Sequence, residues 1–110
     1  MPHYMLQFSF AQSSVKAMTT TPSDRYQAAV AALAPLGAKL KDYFFAFGAY
    51  DTVVIYEAPG PIAAAALAMT LGSAGSMTRI VTTPLLTMPE AMEAMALSGK
   101  TQGSYRPAAS

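Results

Sequence analysis

The chain has 110 residues, of which 53% are hydrophobic and only 12% are charged, and its formal net charge is +1. This length suits one domain, and the absence of cysteine excludes disulfides and thiolate metal sites. Because the seven basic residues form no dense run in the sequence, we expect no nucleic-acid partner.

The first third of the chain predicts one strand and two helices. Hydrophobic and polar residues alternate from His3 to Phe10, which is typical of a strand. Capping residues then predict a short turn of helix over Val15 to Met18. A longer amphipathic helix is predicted from Pro22 to about Ala34, with Thr21 as its N-cap and Pro35 near its end.

The rest of the chain predicts three further strands and two helices. Lys39 to Phe47 and Val53 to Ala58 are expected to be strands that pair through a tight connection. The alanine-rich segment Ile62 to Leu71 predicts a helix that is ended by Gly72 or Gly75, and this apolar run of about ten residues is too short to cross a bilayer. Met77 to Pro84 is expected to be the fourth strand, and Met88 to Leu97 a short third helix.

The predicted order β-α-β-β-α-β indicates an α+β protein with a ferredoxin-like βαββαβ sandwich. Its four-stranded antiparallel sheet would carry both main helices on one face, with strands one and three at its centre. The short C-terminal helix completes a domain of residues 1–97. Residues 98–110, rich in Gly, Ser, Pro and Ala, are expected to form a flexible tail.

Both faces of the predicted hairpin carry apolar side chains. In its second strand, Val53 and Ile55 lie on one side, while Val54 and Tyr56 lie on the other. In its first strand, Phe44 points away from its aromatic neighbours. A central strand covered by loops would explain this pattern. We favour a second copy of the chain that covers the open sheet face, which predicts a homodimer or a higher homo-oligomer.

The segment from Phe47 to Pro59, which contains Gly48-Ala49-Tyr50-Asp51, resembles the GYD-domain family, named for its Gly-x-Tyr-Asp signature. Gly37 to Tyr43 and Gly72 to Gly75 are similar to that family as well, and the resemblance runs from about Met1 to Met95. It implies a fold similar to that of ferredoxin-like, dimeric α/β-barrel proteins. It implies no settled activity.

The signature residues have a structural explanation and a functional one. Gly48 allows a tight turn, and Asp51 can accept hydrogen bonds from backbone amides. The Tyr50 ring can lie over the hairpin while its hydroxyl reaches water or a backbone group. The functional alternative is that Tyr50 and Asp51 form the rim of a ligand pocket.

Several further residues are candidates for binding a ligand. His3 is the single histidine, and an imidazole can act as a base or a haem ligand. Arg79 would need a carboxylate or an anionic ligand if it faced the interior. Glu57 is expected to pair with Lys39 or Lys41 across the strands. The complete candidate set is His3, Tyr43, Tyr50, Asp51, Tyr56 and Arg79. No catalytic residue, cofactor or metal site is predicted.

Two functions from different classes remain open at this stage. The first is a small homo-oligomeric module of unassigned activity that binds a small molecule or has a structural or regulatory role. The alternative is a cofactor-independent monooxygenase- or isomerase-like enzyme acting on a small aromatic or polyketide-like substrate. In both cases we expect a cytoplasmic protein without a membrane partner, because neither a signal-peptide pattern nor a long apolar run is present.

Overall fold

A computed structural model describes residues 1–108 of the chain. Two short 3₁₀ turns, Ala34–Leu36 and Gln102–Ser104, accompany the main elements. These elements are, in chain order, β1 His3–Phe10, α1 Gln12–Thr20, α2 Arg25–Leu33, β2 Lys39–Phe45, β3 Thr52–Glu57, α3 Pro61–Ala74, β4 Met77–Leu85 and α4 Met88–Thr101.

The four strands form one antiparallel sheet in the order β2-β3-β1-β4. Strands β1 and β3 are therefore central, and the predicted α+β, ferredoxin-like architecture is confirmed. Within residues 1–108, no helix is both long and apolar enough to cross a membrane.

Each outer strand of the sheet contains one extra residue. In β2, Leu40 pairs with Tyr56 and Asp42 pairs with Ile55, so Lys41 is the extra residue. In β4, two residues lie between the partners of Gln7 and Ser9. One of them is Arg79, whose φ of 52° is unusual for a residue other than glycine. Such bulges reset the alternation of faces along both strands.

The core lies between the sheet and the helices α2 and α3. Strands β1 and β3 contribute alternate residues, which explains the predicted period of two. Leu33 from α2 packs against the strand residues, together with Ala64 and Leu67 from α3. The buried strand residues are Tyr4, Leu6, Phe8, Thr52, Val54 and Tyr56.

The alternate residues of the strands point to the other side of the sheet, which we call the open face. Cross-strand pairing places Phe44 opposite Val53, and Met5 opposite Ile55, on this face. Gln7 lies opposite Val81. The predicted two-sided apolar character of the hairpin is therefore present in the structure.

Helices α1 and α2 differ from the sequence-based expectation, whereas α3 ends at one of the two glycines that were expected to end it. Helix α1 is nine residues long rather than one turn. Helix α2 begins at Arg25, because the Asp24 carboxylate accepts hydrogen bonds from the backbone N–H groups of Tyr26 and Gln27. Helix α3 continues to Ala74 and ends at Gly75, whose φ of 72° suits a left-handed C-cap.

The second strand and the C-terminal helix also have different limits. Strand β2 ends at Phe45, and Phe47 beyond it is fully exposed. Helix α4 begins with a capping box between Thr87 and Glu90 and continues through Thr101, four residues past its expected end. The predicted flexible tail, 98–110, therefore begins inside α4. Its last two residues, 109 and 110, lie outside the described residues.

Candidate functional site

The six candidate residues lie at four separate places in the structure. Tyr50, Asp51 and Arg79 meet at the loop between β2 and β3. His3 lies at the start of β1 on the open face. Tyr43 and Tyr56 both face the helices, one from an outer strand and the other from the centre of the core. The structure therefore does not bring the whole set into one site.

In the β2–β3 loop, Asp51 has a structural task. Its carboxylate accepts a hydrogen bond from the backbone N–H of Phe10 at 2.9 Å, and its own N–H donates to the carbonyl of Phe8 at 3.0 Å. The expectation that Asp51 binds backbone amides holds, but the amide that its side chain binds belongs to β1 rather than to its own turn. These bonds fasten the loop to the end of β1.

The Arg79 side chain covers the same loop from β4. Its guanidinium carbon lies 4.7 Å from the centre of the Tyr50 ring, which is cation–π geometry. The Arg79 Nη1 also donates a 2.8 Å hydrogen bond to the carbonyl of Ala49. Arg79 therefore lies on the exposed surface, outside the core, and its guanidinium interacts with Tyr50 and Ala49 of the same chain.

His3 belongs to a small charged cluster on the open face. Its Nε2 lies 3.6 Å from the Glu57 carboxylate, and the Lys41 ammonium lies 3.4 Å from the other oxygen of that carboxylate. Partial desolvation would raise the pKa of Glu57, but Lys41 and His3 outweigh it and hold that pKa below its ordinary value. Of the two lysines expected to pair with Glu57, Lys41 forms the ion pair in the structure.

Tyr56 is part of the core. Its side chain is 1% exposed, and its ring stacks on Tyr4 with the ring centres 5.5 Å apart. Burial, together with the neighbouring Tyr4, raises the pKa of Tyr56 to about 12. The Tyr56 hydroxyl is buried and has no hydrogen-bond partner among the described residues.

Tyr43 borders a cavity between the sheet and the helices, which we call the sheet–helix cavity. Its volume is about 220 Å³. The wall formed by the sheet and α3 is apolar and includes Leu6, Val54 and Leu67. Burial raises the pKa of Tyr43, and the nearby Thr52 and Arg25 side chains partly offset this effect. The Tyr43 phenol is therefore protonated at neutral pH.

Helix α2 forms the opposite wall of the sheet–helix cavity. Arg25, Ala28, Ala29 and Ala32 line it at the spacing of one helical face. The small alanine side chains leave the space open, and Arg25 supplies a charge at one end. Arg25 is absent from the sequence-based candidates, although a cation in the first turn of a helix opposes the helix dipole and could have signalled a special role.

A wider groove of about 640 Å³ adjoins the sheet–helix cavity beneath α1. Arg25, Ser76 and Met77 line both spaces, so the cavity and the groove adjoin at these residues.

The polar groups at the sheet–helix cavity can bind better than they can catalyse. They are the guanidinium of Arg25, the phenol of Tyr43 and the hydroxyl of Ser76. His3, Asp51 and Glu57, which carry side chains able to accept a proton, lie elsewhere. Among residues 1–108, no group of three or more His, Cys, Asp or Glu residues is arranged to hold a metal ion.

Two comparisons with known proteins show what the chain is similar to. The family model described as the GYD domain matches residues 4–104. The match continues past Met95, where the resemblance was expected to stop, and includes α4. No curated protein matches the chain at a significant level.

Proposed function

This chain belongs to the GYD domain family, and we propose that it is a small-molecule-binding module that works as a homodimer. The observation that carries the proposal is the sheet–helix cavity, which has apolar walls and a polar end at Arg25 and Tyr43. Ligand sites in proteins commonly combine apolar walls with a few polar groups that orient the ligand.

The lining of α2 supports the presence of a ligand. Ala28, Ala29 and Ala32 face the sheet where larger side chains would fill the space. Protein interiors are normally close-packed, and unfilled apolar volume is destabilising. A bound molecule would restore the lost contacts, so the row of alanines is consistent with a volume kept for a ligand.

The open face supports self-association. Five apolar residues form what we call the open-face patch, and Phe44 at its edge is 58% exposed. A second copy can cover this patch, because two like faces pack sheet against sheet about 10 Å apart. The residues of the open-face patch are Met5, Phe44, Val53, Ile55 and Val81.

The exposed apolar surface of helix α4 also supports a second copy of the chain as the partner. All its residues from Met92 to Thr101 are exposed, and Met88, Met92 and Met95 form an apolar stripe along it. An isolated helix of 14 residues is only marginally stable in water, so α4 needs a surface to pack against. A second copy of the chain would supply that surface along with the covering of the open-face patch.

The enzyme alternative has less support. Cofactor-independent proton abstraction needs a group that accepts a proton near neutral pH. The cavity borders a phenol whose pKa is raised, a guanidinium and a serine hydroxyl, and none of these is a good proton acceptor. We therefore propose binding without assigning a reaction. A cytoplasmic location stays part of the proposal, supported by the absence of cysteine from the sequence.

Paired variants on α2 test the site. Ala32 lines the sheet–helix cavity, whereas its neighbour Ala31 is exposed. Calorimetric titration with 3-phenylpropionate and its amide should detect binding to the wild type and to Ala31→Leu. Ala32→Leu, which fills the cavity, should weaken binding at least tenfold while the protein stays folded by circular dichroism. Equal binding by the two variants, or no binding to the wild type, would overturn the proposed site.

Sedimentation of the full chain tests the assembly. A dimer at micromolar concentration supports the proposal, and a single subunit at that concentration contradicts it. Fractionation of the source cells with an antibody against the protein tests the location, since recovery in a membrane or secreted fraction would be inconsistent with the cytoplasm.

A further inference from the structure

The geometry points to a specific ligand class for the sheet–helix cavity, an inference that rests on the proposed binding function. We infer that the cavity takes a small monocarboxylate with an apolar body, such as an aryl-alkanoate. The carboxylate would be held by the guanidinium of Arg25 and by the Tyr43 hydroxyl, and the apolar body would lie between α2, α3 and the sheet.

Arg25 has one donor that no described group satisfies. Its Nε is buried and makes no hydrogen bond to any described residue. Within residues 1–108, the ion pairs found involve Glu57 with His3 and Lys41, and none includes Arg25. A buried donor without an acceptor is costly, and a carboxylate is the acceptor whose two oxygens match the guanidinium fork.

The position of Arg25 in the fold also favours an anionic ligand. It occupies the first turn of α2, where the helix dipole disfavours a positive charge. Arg25 also lies where the sheet–helix cavity meets the outer groove. A negative ligand group at this point would lie beside the guanidinium, which would attract it.

Tyr43 supplies a second donor. Arg25 lies close enough to Tyr43 to influence its pKa, and the net effect of the surroundings is to keep the phenol protonated. A protonated phenol can donate a hydrogen bond to a carboxylate oxygen. The two side chains come from α2 and β2, so a bound carboxylate would bridge the helix and the sheet.

The volume and walls of the cavity define the rest of the ligand. A dry apolar cavity of about 150 Å³ is enough to bind benzene, and the sheet–helix cavity measures about 220 Å³. It can therefore hold one aromatic ring with a short chain, or an aliphatic chain of similar size. Leu67 and Leu71 on α3, with Val54 on β3, give this part of the ligand apolar contacts.

The number of charges favours a monoanion. Arg25 is the one cation that lines the sheet–helix cavity, and Lys16 in the outer groove is exposed. A dianionic phosphate ester would leave one negative charge without a buried partner, which is unfavourable. A carboxylate matches the single guanidinium with one charge.

The test compares a carboxylate with its neutral isostere. Titration calorimetry of the full chain with 3-phenylpropionate and 3-phenylpropionamide should show a roughly ten- to hundredfold preference of the wild type for the carboxylate. Arg25→Gln should lose this preference and still bind the amide. Arg79→Gln, which changes an arginine outside the cavity, should keep the preference.

The outcomes distinguish failure of the carboxylate assignment from failure of the proposed binding function. Equal affinity of the wild type for the two probes, or a preference that survives in Arg25→Gln, would overturn the carboxylate assignment and leave the binding function intact. No binding of either probe to the wild type would overturn both. If Arg25→Gln fails to fold, Arg25→Lys keeps the charge without the fork and should retain a reduced preference; a preference unchanged in Arg25→Lys would contradict recognition by the fork.

Discussion

The Asp51 carboxylate, in the loop between β2 and β3, accepts a 2.9 Å hydrogen bond from the backbone N–H of Phe10, forty-one residues earlier in the chain. This contact joins the hairpin loop to the end of a central strand. It gives the Asp of the Gly-x-Tyr-Asp signature a role in holding the fold together.

Replacement of Asp51 should therefore affect stability. Asp51→Ala is expected to lower the free energy of unfolding by about 1–3 kcal/mol, because a partly buried N–H loses its acceptor. Asp51→Asn retains a carbonyl oxygen and should cost less. Urea unfolding measures both. A stable Asp51→Ala protein that fails to bind 3-phenylpropionate would instead place Asp51 in the ligand site.

The contact between Tyr50 and Arg79 should be energetically coupled. A double-mutant cycle with Tyr50→Leu and Arg79→Met is expected to give a coupling of about 0.5–1 kcal/mol in unfolding free energy, as for exposed cation–π pairs. Met, like Arg, has a β-carbon, so the positive φ at position 79 is equally unfavourable for the two residues. Additive effects of the two substitutions would show that the 4.7 Å contact contributes nothing to stability.

Tyr56→Phe should leave stability unchanged or increase it by up to about 1 kcal/mol at neutral pH. The reason is that the hydroxyl is buried without a partner, so its removal relieves an unfavourable desolvation. Thermal unfolding monitored by circular dichroism tests this expectation. A loss of more than 1 kcal/mol would reveal a hydrogen bond to a bound water.

The pKa of Tyr56 also predicts a pH dependence. The folded-state pKa of about 12 exceeds the unfolded value of about 10. Stabilisation from the protonated phenol is complete below pH 10 and is lost as the pH rises from 10 to 12, because the unfolded chain releases its proton first. Tyr56→Phe should flatten this decline in urea unfolding measurements, whereas Tyr105→Phe, at an exposed tyrosine, should not.

Two exposed phenylalanines distinguish the proposed interface from the rest of the surface. Phe44 lies on the open face, whereas Phe47 lies beyond the end of β2 and is 102% exposed. Phe44→Asp should weaken dimerisation at least tenfold, because it places a charge in an apolar contact. Phe47→Asp should leave it unchanged. Sedimentation velocity measures both, and equal behaviour of the two variants would place the interface elsewhere.

Local chemistry made most of the fold predictable. Alternation identified the central strands, and Gly37 and Gly75 adopt the positive φ values that end the elements before them. The start of α2 was less predictable, since Thr21 and Asp24 are both good N-caps. In the structure Asp24 is the N-cap, since its carboxylate accepts two backbone hydrogen bonds that the sequence does not specify.

The candidate site was less predictable, because it depends on which helical face meets the sheet. Tyr43 was among the sequence-based candidates, and the structure places it beside the sheet–helix cavity. Arg25 was not a sequence-based candidate, because its place in the cavity lining depends on the alanines that share its helical face and on the neighbouring helix. Tyr50 and Asp51 attracted attention as a signature, yet their contacts are explained by loop structure.

The two bulges have a further consequence for how copies of this protein can meet. Lys41 interrupts the regular spacing of β2, and both Arg79 and Pro84 interrupt that of β4. These strands are the two rims of the sheet, where unpaired backbone groups could otherwise recruit strands from other molecules. The irregular rims oppose open-ended, fibril-like growth, whereas the proposed contact through the open face would close after two layers.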